Sequence, residues 1–314
     1  MADRTIPVDL WNPGQVFACL GFLEGAESLL GDAEGGFDWS DPTAPRFRLS
    51  AGGDADPVEA VLDFLAEAEA VRIAPAGYAD PPAKGAQNDG ADGEDDTAGD
   101  MPELAATFPA PAGDRMALPV RIGGGNRLAI ELGHWADGSS RDSFKLYAGN
   151  RSANGIARAM LQGIRAKPTA KQKKAGLAGE IRMKGIRQLW DEDRATLLAA
   201  PFDVLTAMGG SFNFDPRGAW TAIDAGYSPN EHKHPVQASP VVEVLAAWGL
   251  EHARPETYGR RQVRYAVWSA MLPPMLARAA LAGGIPALPQ RRFRFVLDLS
   301  GKNKVVTFAE EEHP

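Results

Sequence analysis

The sequence predicts an α+β fold in which helices pack on an antiparallel sheet and a long acidic loop interrupts the chain. Two apolar segments begin with a capping residue and proline, Asn12-Pro13 and Asp56-Pro57, as helices commonly do. Apolar residues alternate at 118–132 and 293–308, which predicts β-hairpins. Residues 78–102 are rich in glycine, alanine and acids, and such a segment buries too little apolar surface to offset its ordering entropy.

Length and composition indicate more than one structural unit. The chain has 314 residues, 44% of them hydrophobic, and a net charge of −8. That length is typical of two domains or of one large α+β unit with insertions. We expect four parts: an N-terminal α/β part (1–77), the acidic disordered loop (78–102), a sheet with a basic helical region (103–235), and C-terminal helices with a terminal β-hairpin (236–314).

The sequence indicates a reducing, aqueous compartment. Cys19 is the single cysteine and lies in an apolar run, which excludes an internal disulfide and a cysteine-based zinc site. The first residues carry Asp3 and Arg4, unlike a signal peptide, and no segment reaches the roughly 18 apolar residues of a membrane span. We therefore expect a soluble cytoplasmic protein without a membrane partner.

Local signals also set the expected boundaries of several elements. The first helix is predicted to run from Pro13 to Leu30 before Gly31, and the second from Pro57 to about Val71. A third strand is predicted beside the 118–132 hairpin, at Phe144 to Tyr147. Later helices are predicted over 150–166, 180–200, 240–248 and 260–281, the third stopped by Gly249 and the last bent at Pro273-Pro274.

A basic segment over residues 145–187 is the strongest functional signal. It holds eleven lysines and arginines against one acid, Glu180. Arg151, Arg158 and Arg165 are spaced by seven, so that a helix would align them opposite Ile156, Met160 and Ile164. A focused positive track in an acidic protein favours a polyanionic partner. We assign contacts with a nucleic-acid backbone to Arg151, Arg158, Arg165, Lys167, Lys171, Lys173, Lys174, Arg182 and Lys184.

Catalytic signatures are missing from the sequence. Gly123 to Gly125 lacks the spacing of a phosphate-binding loop and predicts a hairpin turn. We therefore predict a protein that is not an enzyme, with no catalytic residues, no metal and no cofactor. His232 and His234 flank Lys233, whose charge disfavours a bound cation.

Two alternatives stay open. One is a metal-dependent nucleic-acid phosphodiesterase that uses Asp215, Asp224 and Glu231. The other is a protein-only scaffold, in which the basic helix pairs with acids of a neighbouring protein. The segment from Phe212 to Trp220 fits either a surface that stacks on bases or a part of the core.

Three sequence strings, taken in order, suggest a family. They are Asn12-Pro13-Gly14-Gln15-Val16-Phe17-Ala18-Cys19-Leu20-Gly21, then Phe212-Asn213-Phe214-Asp215-Pro216-Arg217 with Gly226-Tyr227-Ser228-Pro229-Asn230-Glu231, then Pro240-Val241-Val242-Glu243-Val244-Leu245-Ala246-Ala247-Trp248-Gly249-Leu250. With these strings the chain resembles the compact large-subunit family of the type I-U CRISPR effector complex (Cascade).

The resemblance implies a non-catalytic subunit of an RNA-guided surveillance complex. Such a subunit sits near the 5′ end of the guide, takes part in recognising the motif adjacent to the target, helps to open the duplex, and recruits the helicase-nuclease. The implied partners are crRNA, target double-stranded DNA, other Cascade subunits and the helicase-nuclease. Because asparagine, glutamine and arginine present the donors and acceptors that base edges can test, we assign motif reading to Gln15, Asn213, Arg217 and Asn230.

Overall fold

The computed structural model describes residues 1–75, 103–106, 118–124, 128–136, 144, 146–147, 152–219, 236–300 and 303–312. The helices of these residues are α1 (Pro13–Leu30), α2 (Pro57–Glu67), α3 (Ala153–Gln162), α4 (Ala170–Lys174), α5 (Ile186–Ala199), α6 (Pro240–His252) and α7 (Pro274–Leu281). The strands are β1 (Ala2–Pro7), β2 (Glu34–Asp38), β3 (Arg46–Ala51), β4 (Glu69–Pro75), β5 (Glu103–Ala106), β6 (Val120–Gly123), β7 (Ala129–Leu132), β8 (Ile164–Arg165), β9 (Ile181–Met183), β10 (Thr206–Ala207), β11 (Gln237–Ala238), β12 (Glu256–Gly259), β13 (Gln262–Trp268), β14 (Gln290–Ser300), β15 (Asn303–Val306) and β16 (Glu310–Glu312).

The predicted α+β class is confirmed, with the strands divided among several small sheets. One sheet has the order β1-β3-β2 and another the order β5-β4-β6-β7. A third has the order β12-β13-β14-β15, with β16 also paired to β14. The strands β8 and β9 form a two-stranded sheet, as do β10 and β11. Within the described residues every pair is antiparallel except β4 with β5.

Two buried helices, α1 and α6, pack closely against each other at the centre of the core. At Gly21 an added Cβ would lie 2.1 Å from the Leu245 carbonyl oxygen, and at Gly249 it would lie 2.3 Å from the Phe17 carbonyl oxygen. Gly249 therefore lies inside α6 and permits a close helix crossing, so the prediction that it stops the helix is wrong. Cys19 is buried in this core, as its apolar neighbours predict.

Boundaries with local signals are confirmed. Asn12 caps α1 by accepting a hydrogen bond from the Gln15 amide, and Gly31 ends the helix with φ of 76°. The hairpins of β6 with β7 and of β14 with β15 are present where the alternation predicts them. The predicted acidic loop at 78–102 lies outside the described residues. In the parts of the chain that are described, every helix is too short or too polar to cross a bilayer.

The helix predicted from Arg260 to Leu281 is wrong. In the structure β13 occupies its first half, where Val263, Tyr265 and Val267 are buried at alternate positions. Pro274 then begins the separate helix α7, in which Met275 is 77% exposed.

Three other element predictions are corrected at their ends. The helix α2 stops at Glu67, and Val71 lies in strand β4. The predicted helix over 150–166 ends at Gln162 because Gly163 takes a left-handed φ of 73°, and the one over 180–200 begins at Ile186 because β9 precedes it. In the predicted strand at 144–147 the three described residues are buried but belong to no strand.

Candidate nucleic-acid interface

The basic segment folds into a short arm, residues 164–184, made of β8, α4 and β9. We call it the basic arm. It contains seven lysines and arginines and one acidic residue, Glu180. All seven side chains are exposed: Arg165, Lys167, Lys171, Lys173, Lys174, Arg182 and Lys184. The arm therefore presents a concentrated positive surface to solvent.

The helix α4 forms the outer end of the arm, in the segment between the helices predicted over 150–166 and 180–200. Thr169 caps it, since its hydroxyl accepts from the Gln172 amide and the Gln172 side chain accepts from the Thr169 amide. No residue of α4 is buried, so Lys171, Lys173 and Lys174 all project into solvent. The helix gives these three ammonium groups a defined spacing.

A glycine turn closes α4 and fixes an exposed leucine beside the lysines. Gly176 has φ of 66°, its amide donates to the Lys173 carbonyl, and the Leu177 amide donates to the Gln172 carbonyl at 2.9 Å. This pair of bonds is a Schellman ending, in which the residue after glycine commonly packs back on the helix. Leu177 is instead 61% exposed, and sequence reasoning did not single it out.

The base of the basic arm is tied to the helices on both sides. The Ala166 amide donates to the Glu180 carbonyl at 2.7 Å, and an added Cβ at Gly179 would lie 1.8 Å from the Ala166 carbonyl oxygen. The Gln188 side chain of α5 accepts from the Gly185 amide and donates to the Gln162 carbonyl, both at 2.8 Å. These contacts fix the position of the basic arm relative to helices α3 and α5.

The predicted single stripe of arginines does not form. Arg158 lies half-buried on α3, where its Nε donates to Gln162, and Arg165 lies beyond the end of that helix on β8. Arg151 lies outside the described residues. The apolar face is confirmed in part, since Ile156 and Met160 are buried whereas Ile164 is on β8.

Lys184, the last residue of the basic arm, and Arg187, which follows it, have partners inside the protein. Lys184 pairs with Glu192 of α5. Arg187 donates to the carbonyls of Ala66, Glu67 and Ala68 at 2.8 to 3.3 Å, and so binds the C-terminal end of α2. Arg165 also donates to the Gly179 carbonyl, so the side chains best placed for an external anion are those of Arg182 and of the three lysines of α4.

Two of the residues assigned to motif reading are engaged inside the protein. Gln15 is 4% exposed, and its carbonyl oxygen accepts from the Asp9 amide at 2.7 Å. The guanidinium of Arg217 donates two hydrogen bonds to the carboxylate of Asp215, from Nε to Oδ1 at 2.9 Å and from Nη2 to Oδ2 at 2.7 Å. Neither side chain presents a free edge, so the structure contradicts their assignment as base readers.

The other two assigned readers are less constrained by the structure. Asn213 is half-buried with φ of 65°, and its side-chain oxygen accepts from the Ser211 hydroxyl at 2.8 Å. Asn230 lies outside the described residues, as does Trp220. Phe212 and Phe214 are buried in the core, and Phe212 stacks on Trp135 with 5.3 Å between ring centroids. The aromatic pair is therefore core.

Asp215 and Glu243 belong to a buried polar network that joins the three sequence strings. Asp215 accepts from the Asn12 side chain at 3.3 Å and from the Ser239 amide at 3.0 Å. The Oε1 of Glu243 accepts from the Phe214 and Asp215 amides, while its Oε2 has no partner among the described residues. Burial raises the pKa of Glu243 to about 8, and the charge of Asp215 adds to the rise.

The metal-dependent alternative needs Asp215 as a metal ligand, and the structure shows this carboxylate already paired. Both oxygens of Asp215 are held by Arg217, so this carboxylate already has a cationic partner. Asp224, Glu231, His232 and His234 lie outside the described residues. Over the described ranges no three histidine, cysteine or acidic side chains converge as metal ligands would.

Comparison with protein-family models, with curated proteins and with solved structures finds no match for this chain.

Proposed function

We propose that the basic arm binds the phosphate backbone of nucleic acid. The observation that carries the proposal is the exposure of seven lysines and arginines with one acid on an arm of a protein with net charge −8. Lysine and arginine contacts with phosphates supply affinity without sequence information, because each contact releases counterions. The negative charge of the rest of the protein restricts such binding to the arm.

We further propose that this binding serves an RNA-guided complex, as the resemblance to the type I-U large-subunit family implies. In such a complex guide pairing reads the target sequence, and protein side chains hold strands by their backbone. The basic arm is suited to the second task. The chain is then a non-catalytic cytoplasmic subunit whose partners are crRNA, target double-stranded DNA, other Cascade subunits and the helicase-nuclease.

The arm is tested by replacing Lys171, Lys173 and Lys174 together with alanine. Because alanine favours helix and no side chain of α4 is buried, the helix should persist. Binding to duplexes of unrelated sequence should weaken equally, and the salt dependence should flatten by up to about 0.9 in slope for each phosphate that the variant no longer binds.

The matched control replaces the same three lysines with arginine. Positive charge is retained there, so affinity and salt slope should stay close to those of the unchanged protein. Unchanged affinity and slope in the alanine variant would remove α4 from the interface. For the role in an RNA-guided complex, failure of the chain to purify with crRNA and backbone subunits on co-expression would overturn the proposal.

A further inference from the structure

An arginine cluster covers the outer face of the C-terminal sheet, far along the chain from the basic arm. The register places Arg264 of β13 opposite Arg294 of β14, and Arg292 lies two residues before Arg294. The three side chains therefore project from one face, which we call the arginine face. Like charges on neighbouring strands repel, so this face requires an anion.

The chain supplies that anion from its own acidic strand, β16. The register places Glu310 opposite Arg294 and Glu312 opposite Arg292. Glu312 accepts from Nε and Nη2 of Arg264 at 2.5 and 2.8 Å, and Glu310 accepts from Nη2 of Arg294 at 3.0 Å. A guanidinium offers the same two-pronged donor geometry to a phosphate.

The arginine face and its adjoining turn hold more positive charge than their carboxylates cancel. Arg260 and Arg261 lie exposed in the turn before β13, and with Arg292 they have no carboxylate partner in the described part of the chain. Five arginines thus stand against four acids: Glu256, Glu310 and Glu312, which they bind, and Asp298, which lies on the same face of β14. If β16 left, two acids would remain, and the excess positive charge would rise from one to three.

The middle residue of β16 is held independently of the arginine face. Its three residues pair with β14 at the sheet edge, and Glu311 forms a two-pronged, half-buried pair with Arg291 on the opposite side of the strand. Glu310 is 76% exposed, and an exposed ion pair of this kind contributes at most about 1 kcal/mol. A phosphate can therefore replace Glu310 at small cost, whereas Glu312, which is 21% exposed and binds Arg264 through both oxygens, is the stronger competitor.

We propose that the arginine face is a second polyanion-binding surface, with the carboxylates of Glu310 and Glu312 as built-in competitors for nucleic-acid phosphates. No covalent bond is made or broken in the exchange. Two phosphate oxygens take the places of the two Glu312 oxygens on Arg264, and one takes the place of the Glu310 oxygen on Arg294. Binding at this surface should therefore be weak in the unchanged protein and strong once the two carboxylates are neutralised.

The experiment measures binding of a fluorescein-labelled DNA duplex to full-length Glu310→Gln and Glu310→Gln/Glu312→Gln proteins by anisotropy, over a series of salt concentrations. Both variants keep Glu311, which holds β16 to β14. Affinity should rise roughly tenfold in the double variant, and the salt slope should steepen by up to about 1.8 if two further phosphates are bound. Glu131→Gln is the matched control for Glu310→Gln, since each removes one charge and releases one surface arginine, Arg121 or Arg294.

Three results would overturn the proposal. The first is unchanged affinity and slope in the double variant. The second is an increase in affinity for Glu131→Gln equal to that for Glu310→Gln, which would show a general charge effect. The third is an increase that survives when Arg264 and Arg294 are also replaced with alanine. Because α4 is intact in every variant, these outcomes are independent of the lysine test of the basic arm.

Discussion

Replacing Glu243 with glutamine tests the buried polar network. Glu243 is 0% exposed, and its Oε1 accepts from the amides of Phe214 at 3.1 Å and Asp215 at 2.9 Å. Glutamine keeps this acceptor but cannot ionise. The substitution therefore removes the ability of the side chain to ionise while leaving both hydrogen bonds in place.

The magnitude follows from the pKa of the carboxyl. Burial raises it from the ordinary 4.5 to about 8, so at neutral pH the folded protein holds a proton that the unfolded chain has released. Because folding raises this pKa, the protein loses stability as the pH rises from the pKa of the unfolded chain to that of the folded protein. Each pKa unit corresponds to about 1.4 kcal/mol, and the full window to about 5 kcal/mol.

The assay is urea unfolding of both proteins at several pH values from about 5 to 8.5. The free energy of unfolding of Glu243→Gln, relative to the unchanged protein, should rise by about 1.4 kcal/mol per pH unit across this window. Glu131→Gln, at an exposed carboxylate, should show no such trend. A constant difference between Glu243→Gln and the unchanged protein at all pH values would refute the reasoning, since it would mean that Glu243 is ionised when folded.

Three further substitutions test the packing that positions the candidate interface. Gly163→Ala should destabilise the protein by about 1–3 kcal/mol, because this residue has φ of 73° where the basic arm follows α3. Proteolysis within the arm should become faster. Unchanged proteolysis would contradict a rigid connection between the arm and α3. Arg217→Ala should cost about 3–5 kcal/mol in urea unfolding, because it leaves the buried Asp215 without its cation, and full recovery by Arg217→Lys would argue against the forked pair. Gly21→Ala should lower the thermal midpoint and cost about 1–3 kcal/mol, because the new methyl would lie 2.1 Å from the Leu245 carbonyl oxygen; an unaltered midpoint would mean that α1 and α6 move apart freely.

The sequence predicts an element well where both of its ends are determined locally. Asn12, Pro13 and Gly31 bound α1 correctly because capping, proline geometry and a left-handed glycine all act within a few residues. The prediction for 260–281 is wrong because Val263 and Val267 fit both a helical spacing of four and a strand spacing of two. Pairing of β13 with β14, about thirty residues away, decides between them.

The candidate site shows the same division between local and distant causes. The concentration of positive charge between residues 164 and 184 is visible in the sequence, and the Thr169 to Gln172 spacing is a local capping signal that could have indicated α4. The hydrogen-bond partners of polar side chains could not be predicted from the local sequence in this way. Gln15 and Arg217 resemble base readers in the sequence because their partners become visible only when the chain is folded.

The three strings that carry the family resemblance meet in the buried network, and this limits what the resemblance can say about binding. Asn12 contacts Asp215, the Asp215 amide donates to Glu243, and Gly14 lies against the Phe214 carbonyl, where an added Cβ would be 2.4 Å away. Residues of this kind serve the packing of the core, whatever the surface binds. The described residues of the strings therefore belong to one buried core of this chain, whereas the basic arm lies outside all three strings. Binding to nucleic acid has to be tested on the arm itself, and a chain with an intact network and a neutralised arm is the variant that separates the two.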